Sequence, residues 1–394
     1  METLTLQASL DWATVQTADW DVVVVGAGPA GIAAAMESTR LGLKTLLLDR
    51  QRHPRDKVCG GCMNAVALSQ LAALGCADLP DQYGAITVDR FRLGIEGRQI
   101  DLDLPPGRAL SRRSFDAALL TQALRQGVQF MPMVSVRDAG CSSAARHLIL
   151  TRQAETATLK AAWVVAADGL GGRYTQGLTG CQTQTRPAAY IGVATEVGDT
   201  HGYPAGIIHM ASRGDAYVGV VRQENNRLHL AAAVHPATLR QAGSPARMMR
   251  QVLQHVAWPV PDDLDSGHFQ GTSYLTTRRR PVALERVFLS GDAAGYIEPF
   301  TGEGMAWALL GGRTVATLLP AAVSGQNERL SAEAWIQTYT QMIRQRQAVC
   351  HWTTRCLRHP WLIRAMAELL SRLPGLATPL IQSINTPPAR STLP

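Results

Sequence analysis

The sequence predicts an α/β chain: a parallel nucleotide-binding sheet, interrupted by a β-rich insert and closed by a helical tail. Three observations carry this. A continuous apolar run, Asp21-Val-Val-Val-Val25, leads directly into a glycine-rich turn and an alanine-rich helical stretch. Alternating, turn-punctuated segments crowd residues 188–234. From about residue 327 onward the spacing is helical, with Pro360, Pro374 and Pro379 as expected breaks. Hydrophobic residues make up 46% and charged residues 18% of the 394, enough apolar material for a large core.

Residues 1–19 read as a frayed arm. Residues 21–25, the turn Gly26–Gly31, the helix 32–41 and a second strand 44–48 then form a β–turn–α–β unit. A helix is expected over 64–74, paired strands at 86–93 and 99–104, a helix over 114–126, and strands at 145–152 and 158–167. Strands within 188–234 precede one helical stretch over 236–256. Residues 285–312 read as strand, glycine-rich loop, helix. This divides the chain into a discontinuous cofactor unit (20–80, 108–185 and 275–326), a substrate unit (81–107 and 186–274) and a C-terminal helical region (327–394).

No apolar run reaches membrane-spanning length, because Met305 to Val323 contains Arg313, two glycines and Pro320. The N-terminus lacks the basic-then-apolar pattern of a secretory signal. Seven scattered cysteines suit a reducing cytoplasm. The net charge of +7 comes from 38 Lys and Arg against 31 Asp and Glu, but no basic block interleaved with aromatics points to nucleic acid. Between residues 344 and 372 six arginines face one acid, with Trp352, Trp361, Leu362 and Ile363 interspersed. That pattern fits either a lid with an arginine-rich outer face or peripheral contact with an anionic membrane. Nothing in the sequence fixes the oligomeric state.

The segment VVVVGAGPAG with Asp49 beyond the second strand has a mechanical reading. Gly26 permits the turn out of the strand, Gly28 lets backbone approach a pyrophosphate, and Gly31 allows close packing of helix on sheet. Pro29 and Ala30 open the helix, whose free N–H groups face phosphate. Asp49, with Arg50 after it, is placed to accept from ribose hydroxyls.

Two distant segments settle the dinucleotide. Val165-Ala-Ala-Asp168-Gly169 and Phe288-Leu-Ser-Gly291-Asp292-Ala-Ala-Gly295 resemble the second and third fingerprints of FAD enzymes in the p-hydroxybenzoate hydroxylase and geranylgeranyl reductase superfamily. The resemblance implies a Rossmann-type FAD-binding fold, with Asp292 on the ribityl chain. It also implies that the loop Pro299 to Gly304, including Gly302 and Glu303, lies near the flavin ring, followed by Met305. Arg112 stands in an R-x-x-F-D pattern whose arginine reaches the cofactor in that superfamily.

Lys57-Val-Cys59-Gly60-Gly61 resembles the K-x-C-G-G segment of geranylgeranyl reductases and quinone-linked relatives. Two glycines there allow backbone close to a planar ring. Cys59 and Cys62 form a CxxC, for which packing beside the flavin is the preferred reading over redox cycling; no metal site is expected. Cys59 and Glu298 are weak candidates for chemistry, and the catalytic residues are otherwise unassigned. His209 and His229 could face substrate, although a core or surface role is the expectation for each. The Y-x-W-x-F-P segment of prenyl reductases is replaced by Ala216-Tyr-Val-Gly-Val-Val-Arg222, and the W-x-W-x-I-P segment of tryptophan halogenases is absent. No second nucleotide fingerprint appears, so NAD(P)H is expected as a transient reductant unless a partner reduces the flavin.

Three activities follow, in this order. The first is an NAD(P)H-using monooxygenase on an apolar aromatic or polyketide-like molecule. The second is a C=C reductase on an isoprenoid or lipid-like substrate. The third is a flavoprotein passing electrons to a quinone or protein. Ile207 is one candidate for an inward-facing position of the substrate sheet, and the sequence leaves open which face points inward, because a one-residue slip exchanges the two faces.

Overall fold

A parallel sheet forms because its strands are apolar on both faces. The computed structural model describes residues 6–387 apart from 187, 299, 326, 327 and 358, with the side chains of 328, 352, 353, 355–357 and 360 also outside the described set. The strand Trp20–Val25 lies at the centre, paired in parallel with Thr45–Asp49 on one side and Glu155–Ala166 on the other. Gln129–Pro132 and Val287–Leu289 extend the sheet in parallel at either side. The hairpin partners Ser135–Cys141 and Arg146–Arg152 add an antiparallel flap to Glu155–Ala166.

Two helices meet on this sheet at unusual proximity. Pro29–Arg40 and Gly304–Thr317 pack so closely that a Cβ at Gly312 would stand 2.0 Å from the Ala30 carbonyl oxygen. Gly291 also lies against Ala30, where a Cβ would come within 2.7 Å of the Ala30 Cβ. The start of the first helix is thereby gripped from two directions.

The second sheet has eight strands: Gln270–Tyr274, Ile191–Val197, Leu228–Val234, Ala216–Arg222, Ile207–Arg213, Ile86–Ile95, Arg98–Ala109 and Cys62–Met63, in that spatial order. One face carries Ala211, Val218, Val220, Leu230 and Ala232, buried beneath Met248, Met249, Val252 and Leu253 of the helix Pro245–His255. Side-chain alternation gives the other face Ile208, Met210, Tyr217, Gly219, Ala231 and Ala233, which line a large cavity. Gly192, Gly219, Ala231 and Ala233 remove side-chain bulk there and leave room for a ligand.

Four details depart from the sequence reading. Residues 6–18 are not a frayed arm: Leu6 pairs with His53, and Asp11 caps the helix Trp12–Thr17, whose Val15 is fully buried. The apolar Leu6, Leu10, Trp12 and Val15 anchor it. The stretch 236–256 is two helices, because Gly243 adopts a left-handed C-cap and Ser244 starts the next. Pro379 lies in the first turn of the helix Thr378–Asn385, a position that proline tolerates, and does not break it. Ile207 belongs to the helix-covered face with His209, one residue out of register with the cavity-lining Ile208.

The tail folds back as Glu328–Tyr339, a π-turn at Thr340–Arg344, then Gln345–Leu357, Pro360–Arg372 and Thr378–Asn385. The helix Pro360–Arg372 lies over the hairpin formed by Ile86–Ile95 and Arg98–Ala109. Asn64 fastens the last helix, donating from Nδ2 to the Ile384 carbonyl at 3.2 Å, while the Ala65 N–H donates to Asn385 Oδ1 at 3.4 Å. No helix among the described residues is long and apolar enough to cross a membrane.

Candidate cofactor and substrate site

The end of the parallel strand Trp20–Val25 sets the geometry. Gly26 adopts φ +106°, and a Cβ there would sit 2.4 Å from the Ala167 carbonyl oxygen. Gly31 meets Gly26 itself, with a Cβ only 1.8 Å from its carbonyl oxygen. Gly28 is different: its Cβ would find open space, with Arg55 Nη2 at 3.8 Å as the nearest atom. Two glycines hold the fold and the third holds room. The helix then starts at Pro29 with no side-chain cap, leaving its first N–H donors for an anion.

A single cavity of about 1140 Å³ runs along both sheets, larger than the roughly 300–1,000 Å³ of a site for one small ligand. Gly26, Gly28, Pro29, Ala30, Asp49, Arg50, Cys59, Gly60, Gly61, Arg112, Asp168, Gly169, Asp292, Gly302, Gly304 and Met305 all line it. Gly31 and Gly291 stand behind that lining as packing positions. Pro299 lies outside the described residues. Glu298 and Glu303 are both buried but do not line the cavity.

Asp49 sits at the strand end as expected. Its Oδ2 accepts from the Ala27 N–H at 2.8 Å and its Oδ1 from the Gln51 N–H at 2.8 Å. Burial works to raise this carboxyl, but His53 at 3.3 Å and the Arg55 charge outweigh it and hold the group down at about 2. An ionised carboxylate offers about four acceptor sites, so two backbone donors and His53 leave capacity for a ribose hydroxyl. Asp168 is otherwise committed: it accepts from the Thr175 N–H at 3.1 Å and from the Thr175 hydroxyl, fixing the turn into Arg173–Gln176.

Asp292 turns into the cavity, with burial pushing its carboxyl up and the Lys57 and Arg112 charges opposing that shift. A desolvated carboxylate needs donors, and a polyol chain supplies them. Arg112 is clamped in a fork by Asp116, with two contacts of 2.7 Å. The uncapped helix, the open space at Gly28 and the carboxylate of Asp292 together fit the pyrophosphate and ribityl parts of FAD.

Cys59 lines the cavity, and the Gly61 N–H points at its Sγ from 3.5 Å. Burial pushes the neighbouring Cys62 thiol up to about 12, which opposes thiolate formation and a dithiol couple. Beneath this loop, His229 Nε2–H donates to the Cys59 carbonyl at 2.6 Å, so His229 braces the loop and does not line the cavity. His209 also misses the cavity: it stacks edge-on between Tyr203 and Trp258, and burial lowers it to about 4. Among the described residues, no group of three or more His, Cys, Asp or Glu is placed to hold a metal ion.

Sequence reasoning missed Tyr296 and Tyr217, both cavity-lining phenols. Burial, reinforced by the Asp292 charge, pushes Tyr296 well above the ordinary phenol range, so it keeps its proton. It also missed the cavity wall made by Met366, Leu370, Leu380, Ile381 and Ile384 from the last two helices. Only its place directly after the fingerprint residue Gly295 marked Tyr296, and nothing local marked the helices.

Glu303 faces the tail helices instead of the flavin loop's ligand side. Thr301 donates to Glu303 Oε2 at 3.1 Å, and Arg346 Nη1 lies 3.8 Å from Oε1. Burial raises this carboxyl from 4.5 to about 7. The folded protein therefore keeps a proton that the unfolded chain has lost. The associated stability is complete below pH 4.5 and is lost as pH rises through 7. We expect thermal stability to fall across that window by at most about 3 kcal/mol, and Glu303→Gln to flatten the slope in melts recorded from pH 4.5 to 8.

Comparison with known proteins agrees with this geometry. The family model described as "FAD binding domain" matches residues 19–350. Similar proteins include the menaquinone reductase of Mycolicibacterium smegmatis, 27% identical over 324 residues and 76% of each chain. Another is digeranylgeranylglycerophospholipid reductase 1 of Methanopyrus kandleri, 26% identical over 320 residues, covering 77% of this chain and 81% of that one. Among solved structures, the flavin-dependent brominase Bmp2 superposes with a TM-score of 0.80 at 16% identity, covering 93% and 94% of the two chains. The p-nitrophenol 4-monooxygenase PnpA from Pseudomonas putida DLL-E4 gives 0.74 at 18%, covering 95% and 99%. With the glycine turn, Asp49 and Asp292 assembled around one cavity and the family match spanning residues 19–350, the chain belongs to the FAD-binding-domain family and is an FAD-dependent oxidoreductase.

Proposed function

We propose that this oxidoreductase reduces a carbon–carbon double bond in an apolar, chain-bearing substrate of isoprenoid or lipid type, using NAD(P)H as transient electron source. The carrying observation is the apolar extension of the cavity, where Phe91, Leu93, Leu102 and Leu104 face Met366, Leu370, Leu380 and Ile384. That wall offers an extended molecule burial in proportion to its length. The names of two relatives, a menaquinone reductase and a digeranylgeranylglycerophospholipid reductase, support the same substrate chemistry.

A flavin held here and reduced by NAD(P)H would supply the hydride. The chain's own residues must then exclude water and deliver one proton to the carbon opposite the hydride. Tyr296 is protonated, lines the cavity and stands beside Gly304, where a Cβ would come within 3.7 Å of the ring. We assign it the proton, and keep Cys59 as the small side chain that packs where backbone approaches the ring. Tyr296→Phe is expected to retain FAD and lower kcat by about 10²–10⁴-fold, the usual worth of a positioned acid. Cys59→Ala should retain both FAD and most of the turnover.

Replacement of the prenyl reductases' aromatic segment by Ala216–Arg222 favours the second reading, a monooxygenase on an apolar aromatic or polyketide-like compound. Oxygen uptake measured alongside NADPH oxidation separates the two. Anaerobic turnover to a saturated product supports the reductase; substrate-stimulated oxygen uptake with a hydroxylated product replaces it by the monooxygenase. NADPH oxidation that needs only a quinone or a redox protein selects electron transfer.

The register of the cover sheet gives a further test. Ile208→Trp enlarges the cavity face and is expected to raise the KM for substrate with FAD content unchanged. Ile207→Trp faces the helix Pro245–His255 side and should cost about 1–3 kcal/mol in stability instead. Flavin content, melting temperature and KM of the two purified proteins check this.

A further inference from the structure

The helix Pro360–Arg372 is apolar on two separate faces. Ile363, Met366, Ala367 and Leu370 face inward, toward the cover sheet and the cavity. Trp361, Ala365 and Leu369 follow at i, i+4 and i+8 on the outside, and Trp361 is 68% and Leu369 50% exposed. Leu373 and Leu376, on the turn that follows, are 55% and 54% exposed. A water-facing helix normally carries polar residues there. Four large apolar side chains on one short stretch form a surface that needs covering.

The charge beside this stripe identifies the cover. Arg364 and Arg372 flank it; Arg364 pairs with Glu96, while Arg372 and Arg98 share Glu368. The segment 344–372 as a whole carries six arginines and one acid. Beside the stripe three arginines, Arg98, Arg364 and Arg372, meet two acids, Glu96 and Glu368, and an apolar stripe with this local excess of positive charge fits the boundary of a bilayer containing anionic lipids. The surface is also continuous with the cavity, because Leu380 is 36% exposed to solvent and lines the cavity from the same helix as Ile381 and Ile384.

We propose that the surface formed by Trp361, Leu369, Leu373 and Leu376 docks on an anionic lipid bilayer, and that docking brings the apolar end of the cavity against the lipid phase. The docking itself does not depend on the reductase assignment; only the passage of a lipid-like substrate from bilayer to cavity rests on it.

The test uses the FAD-loaded full chain and vesicles of phosphatidylcholine with or without phosphatidylglycerol, measured by flotation without any turnover. Binding is expected to phosphatidylglycerol vesicles, to weaken with added salt, and to fall at least about tenfold in the Leu373→Glu/Leu376→Glu protein. Flavin content and melting temperature of that variant should be unchanged. Vesicles should shift the fluorescence of the parent protein to shorter wavelength, and that shift should shrink in Trp361→Phe. Failure to float, equal binding to neutral vesicles, or a solution dimer that the double variant dissociates would each overturn the proposal, the last by making a second copy the cover. Turnover is then measured separately, so a failed activity leaves the vesicle result standing.

Discussion

Gly28→Leu is expected to purify folded and colourless. The structure separates the three glycines of the turn in a way the motif does not. Side chains at Gly26 and Gly31 would meet backbone at 2.4 and 1.8 Å and damage the fold itself, so loss of flavin there would be ambiguous. At Gly28 the nearest atom is the far end of Arg55, at 3.8 Å, and the backbone is extended, with φ −90°. A leucine therefore fits the protein and occupies the approach to the uncapped helix N-terminus. Circular dichroism and melting temperature should match the parent, while the flavin absorbance is lost. A yellow Gly28→Leu protein would mean that the pyrophosphate does not pass over this turn.

Gly312→Ala should be strongly destabilising, although it adds a single methyl group. It lies mid-helix, where alanine is normally favoured over glycine by about 1 kcal/mol. Here the new Cβ would lie 2.0 Å from the Ala30 carbonyl oxygen, within the first turn of the glycine helix. Neither atom belongs to a flexible side chain, so two helices must separate. Overpacking of this kind costs about 3 kcal/mol, and the separation should also disturb the N–H groups that face the phosphates. Urea titration reads the first effect and FAD dissociation the second. Unchanged stability would show that the helices are farther apart than described.

The cofactor half was legible because its demands are local. A turn of glycine, a strand of valine and an acid at the end of the next strand each state their own geometry, and Gly26, Asp49 and Asp292 all reach the cavity. The substrate half depends on parity, and parity is not local. Ile207 and Ile208 are equally apolar, and only pairing with Arg90 and Phe91 of the neighbouring strand fixes which one faces the ligand. Gly312 was invisible for a similar reason: its partner is Ala30, remote in sequence. The direction of Glu303 depends on Arg346 in a tail helix, which no motif in the loop announces. The acid-bearing loop was found, and its orientation was not.

The strand Cys62–Met63 begins two residues after Gly60 and pairs with Arg108 and Ala109 at the margin of the cover sheet. His229, from the middle of the same sheet, holds the Cys59 carbonyl. The Cys59–Gly61 peptide, which the family resemblance sets along the isoalloxazine, is thus stitched into the wall that greets the ligand. Any shift of that wall on ligand entry must alter the chromophore's surroundings, so the enzyme carries its own optical reporter. Titrating unreactive ligand mimics while following the visible spectrum would rank candidate substrates before a single product is identified.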